Sequence, residues 1–202
     1  MGKAWIKQRK RDKYYRAAKR ERYRSRSAFK LIQIQEKFGL MEKGWAVLDL
    51  GSSPGGWSQV AKSIVGDAGA VFAVDLVGMT PIDGVKFFHG DLRDVRFLNE
   101  LVSSIGAVDV VISDMAPRLS GNKSYDQARA LELAGIAFDV ACACLRDGGN
   151  FVTKAFRGED FEPFLSHVSS RFARTKASSP PATSKGSAEV YVIALDFKGR
   201  RT

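Results

Sequence analysis

Residues 46–57 read Ala46-Val47-Leu48-Asp49-Leu50-Gly51-Ser52-Ser53-Pro54-Gly55-Gly56-Trp57, and their reading decides the fold. The first five form an aliphatic run too short for a helix, the mark of a buried strand. The glycines that follow let the backbone turn tightly and approach a ligand with no Cβ in the way. A helical pattern opens at Trp57. A strand feeding a glycine turn and a helix N-terminus suits a nucleotide-like ligand, because the first N–H groups of the helix point out of its end. The order Gly-x-x-x-Gly-Gly departs from the Gly-x-Gly-x-x-Gly dinucleotide fingerprint, which counts against an NAD-dependent oxidoreductase.

Outward from this turn the alternation continues. Ala70–Asp75, Val85–Phe88, Val108–Ser113 and Asn150–Ala155 read as further strands, and Trp57–Val65, Arg93–Ile105 and Tyr125–Leu145 as helices between them. Such alternation predicts a parallel sheet with helices on both faces. Glu162–Ser170 reads as another helix, followed by strands at Arg171–Lys176 and Val190–Phe197 across the Ser/Pro/Gly-rich loop 178–187. Two strands with no helix between them predict an antiparallel hairpin. The expected fold class is therefore α/β: a Rossmann-like, mostly parallel seven-stranded sheet with an antiparallel edge hairpin. In front of it, Ser27–Lys37 sets Phe29, Leu31, Ile32 and Ile34 at helical spacing, a helix that docks on the domain and carries Lys30.

A chain of 202 residues, 45% hydrophobic and 27% charged, suits one domain with a full core and needs no disulfide or structural metal. No apolar run approaches the roughly 18 residues of a membrane span. The net charge of +10 is uneven: residues 1–30 hold 13 of the 32 basic and 2 of the 22 acidic residues, leaving 19 and 20 for the remainder. Residues 1–24 thus read as a basic arm ahead of a single domain at 25–202. Trp5, Tyr14, Tyr15 and Tyr23 interleave its charges, which suits bases and phosphates better than a bare solvated tail. RNA or DNA is the expected partner.

The basic residues are not followed by the apolar core of a secretory signal, and a cytoplasmic protein with no membrane partner is expected. Cys142 and Cys144, two apart on a predicted helix, point to different faces and read as small core or half-buried residues. His89 and His167 lack metal-ligand or triad spacing, and no metal site is expected.

Strand ends carry the candidate chemistry. Asp75 ends the second strand, where a ribose diol needs a carboxylate acceptor, and Asp91 follows the third, where an adenine amino group could be read. Each alone is also an ordinary cap or turn residue; together with the glycine loop they outline an adenosine-shaped pocket. Asp114 follows the fourth strand and Lys154 lies on the fifth, so a carboxylate and an ammonium converge on the same crevice. A structural ion pair would look the same.

These residues resemble a known family. Ser25-Arg26-Ser27-Ala28-Phe29-Lys30-Leu31, Asp49-Leu50-Gly51 through Gly55-Gly56-Trp57-Ser58-Gln59, Gly90-Asp91, Asp114-Met115-Ala116-Pro117, Lys154-Ala155-Phe156 and Ser187-Ala188-Glu189-Val190-Tyr191 are similar, in order and spacing, to the FtsJ/RrmJ (RlmE) family of ribosomal RNA 2′-O-methyltransferases. The resemblance implies a catalytic Lys30, Asp114, Lys154, Glu189 tetrad. It also implies S-adenosylmethionine as methyl donor, with Gly55, Trp57, Asp75, Asp91 and Asp114 at its site. The implied substrate is a uridine 2′-hydroxyl in the A-loop of large-subunit rRNA, on bare RNA or the large ribosomal subunit, met by a monomer. Relatives acting on the tRNA anticodon loop, and a non-catalytic ribosome-assembly factor on the same fold, are the alternatives. Arg118 and Ser184-Lys185 depart from the family pattern and bear on substrate contacts; Arg118 would add a phosphate ligand.

Overall fold

The computed structural model describes residues 12–184 and 186–199. Seven strands form one sheet: β1 (Ala46–Leu50), β2 (Ala70–Asp75), β3 (Val85–His89), β4 (Val108–Ser113), β5 (Leu145–Phe156), β6 (Phe172–Ser178) and β7 (Glu189–Phe197). Their order is β3-β2-β1-β4-β5-β7-β6. β1 through β5 pair in parallel, and β7 lies antiparallel between β5 and β6. This is the expected Rossmann-like sheet with its antiparallel hairpin at one edge. The chain builds outward from β1 in both directions, and the reversal opens a crevice at the carboxyl ends of β1 and β4.

The described helices are α1 (Lys13–Arg20), α2 (Ala28–Phe38), α3 (Gly56–Val65), α4 (Val95–Ile105), α5 (Lys123–Cys144) and α6 (Phe161–Arg171). Alternate strand residues supply two cores, as the period of two requires. Val47, Val110, Ile112, Val152 and Ile193 pack with Leu31 and Ile34 of α2 and Trp57 and Val60 of α3. On the other face Leu48, Val111, Phe151 and Val192 pack with Phe138 of α5 and Phe161 of α6. Phe151 sits between Phe138 and Phe172, ring centroids 6.0 and 6.2 Å away, and burial of such a side chain contributes about 1.5–3 kcal/mol. Cys144 lies in this second core, and Cys142 is half-buried.

Boundaries moved where caps or ladders decide them. α4 starts at Val95 because Asp94 accepts from Arg96 N, and α5 starts at Lys123 because Asn122 accepts from Tyr125 N. β5 begins at Leu145, not Asn150, since Leu145 already pairs with Val108 ahead of a register shift. His89 Nε2 bonds to Leu76 O and His167 packs edge-on against Phe138, so both histidines have structural partners.

The largest departure is at the start of the chain. Trp5 and the rest of residues 1–11 lie outside the described residues, as does Lys185. Residues 13–20, expected within an appended arm, instead form α1, capped by Asp12, which accepts from Tyr14 N and Tyr15 N. α1 is docked: Ala18 is buried, Tyr14 and Tyr23 pack on Phe29 of α2, and Asp12 pairs with Arg26.

Candidate active site

Two register relations bring the functional side chains together. Ser113 and Thr153 are partners across β4/β5, so Asp114 and Lys154 follow side by side. Lys154 and Tyr191 are partners across β5/β7, and Glu189, two residues before Tyr191, shares its face. α2 packs on that same face and delivers Lys30. Its seat is fixed by Leu31 and Ile34 in the core and by Trp57 Nε1, which donates to Ser27 O at 2.9 Å.

The four expected catalytic residues therefore meet. Lys154 Nζ donates to Asp114 Oδ1 at 2.8 Å and to the Asp114 carbonyl at 2.6 Å. Lys30 Nζ donates to Glu189 Oε1 at 2.6 Å. Tyr191 joins the pairs: its hydroxyl donates to Asp114 Oδ1 at 2.6 Å and lies 3.2 Å from Glu189 Oε1. Lys30 and Lys154 are each 7% exposed and Tyr191 fully buried, so two lysines and two carboxyl groups face one another with little access to solvent. Burial opposes the charged form of Asp114, but Lys154, Lys30 and the bonds from Lys154 and Tyr191 outweigh it and hold its pKa below the ordinary value. Burial and the charges of Asp114 and Glu189 push the Tyr191 phenol well up, which keeps it a donor.

A cavity of about 430 Å³ opens beside this cluster, lined by residues that include Gly51, Ser53, Asp75, Asp91 and Asp114. Asp114 is the tetrad member that borders it. Asp75 Oδ2 accepts from Ser53 N and Oδ1 from Val77 N, both at 2.8 Å, leaving each oxygen a further lone pair for a diol. Asp91 is engaged by Arg93, whose side-chain and backbone bonds lower its pKa; that pairing was not foreseen. Gly55 and Trp57 do not line the cavity. Gly55 is the N-cap of α3 with φ +109°, and the Trp57 ring is buried 5.7 Å from that of Tyr191, bracing the tetrad from behind.

The residues present fit an adenosine-bearing sulfonium donor. The volume lies within the ordinary range of small-ligand pockets. Gly51, at φ +71°, leaves room for Met115, which a Cβ there would strike, so Met115 can form part of an apolar wall with Leu92, Leu133 and Ile136. Asp49 Oδ1 near the end of β1 and Ser52 Oγ in the turn are buried polar atoms with no protein partner, oxygens able to accept from an ammonium-bearing ligand. Burial pushes Asp49 up to about 7 against the opposing bond from Ser58, and the charges of Asp114 and Asp75 push it the same way.

Sequence reasoning quoted Tyr191 in a motif but gave it no role. The signal was available: a tyrosine two residues after a site glutamate on one strand shares its face. Arg118 is exposed on the loop after β4, and Asp126 fixes that loop by accepting from Ser120 N, Ser120 Oγ and Gly121 N.

The model of the FtsJ-like methyltransferase family matches residues 23–197. The chain is 44% identical over 199 residues to ribosomal RNA large subunit methyltransferase E of Methanoregula boonei, covering 98% of this chain and 100% of the relative. The protein of that name from Methanothermobacter thermautotrophicus is 42% identical, with 99% and 96% covered. Among solved structures, a ribosomal RNA methyltransferase of Plasmodium falciparum superposes with a TM-score of 0.77 at 25% identity, covering 88% of this chain and 100% of that one. Fibrillarin of Aeropyrum pernix, crystallised with S-adenosyl-L-methionine, shares the fold at TM-score 0.60 and 17% identity, over 86% and 75% of the two chains. With a matching family model over most of its length and relatives aligned end to end, this chain belongs to the FtsJ-like methyltransferase family.

Proposed function

We propose that the protein transfers a methyl group from S-adenosylmethionine to a ribose 2′-hydroxyl of large-subunit ribosomal RNA, a uridine of the A-loop. The observation that carries this reading is the buried Lys30–Glu189 and Lys154–Asp114 cluster, joined by Tyr191 and bordering the cavity through Asp114. The names of the relatives support rRNA as the substrate. The cytoplasm is where such a substrate would be met.

The donor, when bound, supplies a methyl on a sulfonium that needs only in-line attack. The residues' task is to position a weakly acidic hydroxyl and manage its proton. Two hydrogens of Lys154 Nζ are given to Asp114, which aims the remaining site of the nitrogen. In a neutral amine that site is a lone pair that accepts the 2′-hydroxyl proton; in the ammonium form it is an N–H that stabilises the forming alkoxide. The two forms part in the pH profile of transfer, since a base loses rate in acid and a cation in alkali. Lys30, anchored by Glu189, keeps two further hydrogens for the ribose or its phosphate. Asp75, Asp91 and Asp114 would hold the donor in the cavity, with Gly55 and Trp57 shaping the turn and helix start behind it. The basic arm, residues 1–24, would track phosphates through cations other than Arg24, with one monomer per RNA site.

The test is incubation with labelled S-adenosylmethionine and, separately, large ribosomal subunits, bare rRNA and tRNA, followed by mapping of the methylated nucleotide. Label at an A-loop uridine is the expected result. Label in the tRNA anticodon loop alone would overturn the substrate, and no transfer to any RNA would favour a non-catalytic assembly factor.

A further inference from the structure

The guanidinium of Arg24, the last arginine of the arm, is engaged by backbone carbonyls. Arg24 Nη1 donates to Pro54 O at 3.3 Å and to Thr80 O, and Nη2 donates to Pro81 O at 2.7 Å. Pro54 belongs to the glycine turn after β1; Thr80 and Pro81 belong to the loop joining β2 to β3. One guanidinium thus spans the two loops. Arg24 is itself fixed from α3, because its backbone N–H donates to Gln59 Oε1 at 2.8 Å and Gln59 Nε2 donates to Arg22 O at 3.2 Å.

What the fork holds down is a cover over Gly55. A Cβ on Gly55 would lie 2.7 Å from Ile82 Cδ1, 2.8 Å from Met79 Sδ and 3.1 Å from Arg24 Cδ, so these three side chains close on the turn at the mouth of α3. Met79 and Ile82 are half-buried while Val77, Gly78, Thr80 and Pro81 around them are exposed. At its start the same loop is tied to the cavity by Asp75, whose two oxygens accept from Ser53 N and Val77 N. Asp75 fixes one end and Arg24 the crest.

We infer that Arg24 is a positioning residue for the methyl-donor site, a clasp that shuts the β2–β3 loop onto the glycine turn, and not one of the phosphate contacts that its place in a basic segment suggests. The inference rests on the donor reading above. Three of its five N–H groups are spent on carbonyls, and a lysine, with one nitrogen in place of a planar fork, cannot span the two loops in the same way.

Arg24→Lys and Arg24→Ala in the full chain test this. Each variant is compared with the unaltered protein for S-adenosylhomocysteine affinity by calorimetry, for amide hydrogen exchange across residues 76–84 without ligand, and for the salt dependence of RNA binding. The clasp predicts that both variants bind S-adenosylhomocysteine about tenfold more weakly and exchange faster across that loop, with the RNA salt slope unchanged. A phosphate contact predicts the reverse: unchanged ligand affinity and exchange, with a salt slope in Arg24→Ala reduced by roughly 0.7–0.9. That result overturns the clasp. Arg24→Lys retains the charge and guards against reading a folding defect as lost positioning, and its binding the ligand normally would also overturn the clasp. Failure of the unaltered chain to bind S-adenosylhomocysteine would be a separate result, defeating the donor reading and the clasp together.

Discussion

Asp49 gives stability a pH dependence that one substitution removes. It is fully buried at the end of β1, with Oδ2 bonded to Ser58 Oγ and Oδ1 without a protein partner, and its pKa rises from 3.8 to about 7. Between those two values the folded chain keeps a proton that the unfolded chain has lost. The associated stability is therefore fully present below about pH 4 and is lost as pH rises through 7. Between pH 5 and pH 8 the change spans two pKa units at about 1.4 kcal/mol each, or roughly 2–3 kcal/mol. Asp49→Asn cannot ionise and keeps an oxygen for Ser58. Urea unfolding of both proteins at pH 5 and pH 8 measures the difference. The unaltered chain is expected to lose about 2–3 kcal/mol more than the variant over that interval, and the cost of the buried amide, equal at both pH values, cancels. Identical pH dependence in the two proteins would refute the reasoning.

Lys154→Ala is expected to lower methyl transfer by about 10²–10⁴-fold with S-adenosylhomocysteine affinity nearly intact, since the lysine acts on the hydroxyl; near-normal turnover would remove it from the mechanism. Asp114→Ala should damage both quantities, because this residue borders the cavity and holds Lys154; calorimetry together with single-turnover rates checks both halves. Tyr191→Phe deletes a buried donor to Asp114 and should cost about 1–2 kcal/mol in urea unfolding and slow transfer without weakening donor binding; unchanged stability would show that the bridge contributes little. Deleting residues 1–11, with five basic residues, should flatten the salt dependence of RNA binding while α1 stays docked, and an unchanged slope would count against an RNA-tracking arm.

The sequence by itself determined the sheet and its crevice, and its family resemblance singled out four side chains that the fold brings together. Period-two and helical patterns are local and survive without tertiary context, which is why β1, β2 and β4 began and ended at the expected residues. Lys30, Asp114, Lys154 and Glu189 were legible because the motifs carrying them stand in order along the chain. Tertiary structure alone decided what depends on partners distant in sequence. Residues 13–20 read as part of an appended nucleic-acid-binding arm, yet they form a helix because Ala18, Tyr14 and the Asp12–Arg26 pair dock on α2. Trp57, expected at the donor site, has its ring behind the tetrad because α2 closes over it. Arg24 is met by carbonyls 30, 56 and 57 residues away, pairings that no local pattern encodes. A basic residue's charge is a property of the sequence, whereas the group that receives its hydrogens is set by which loops the fold brings within reach.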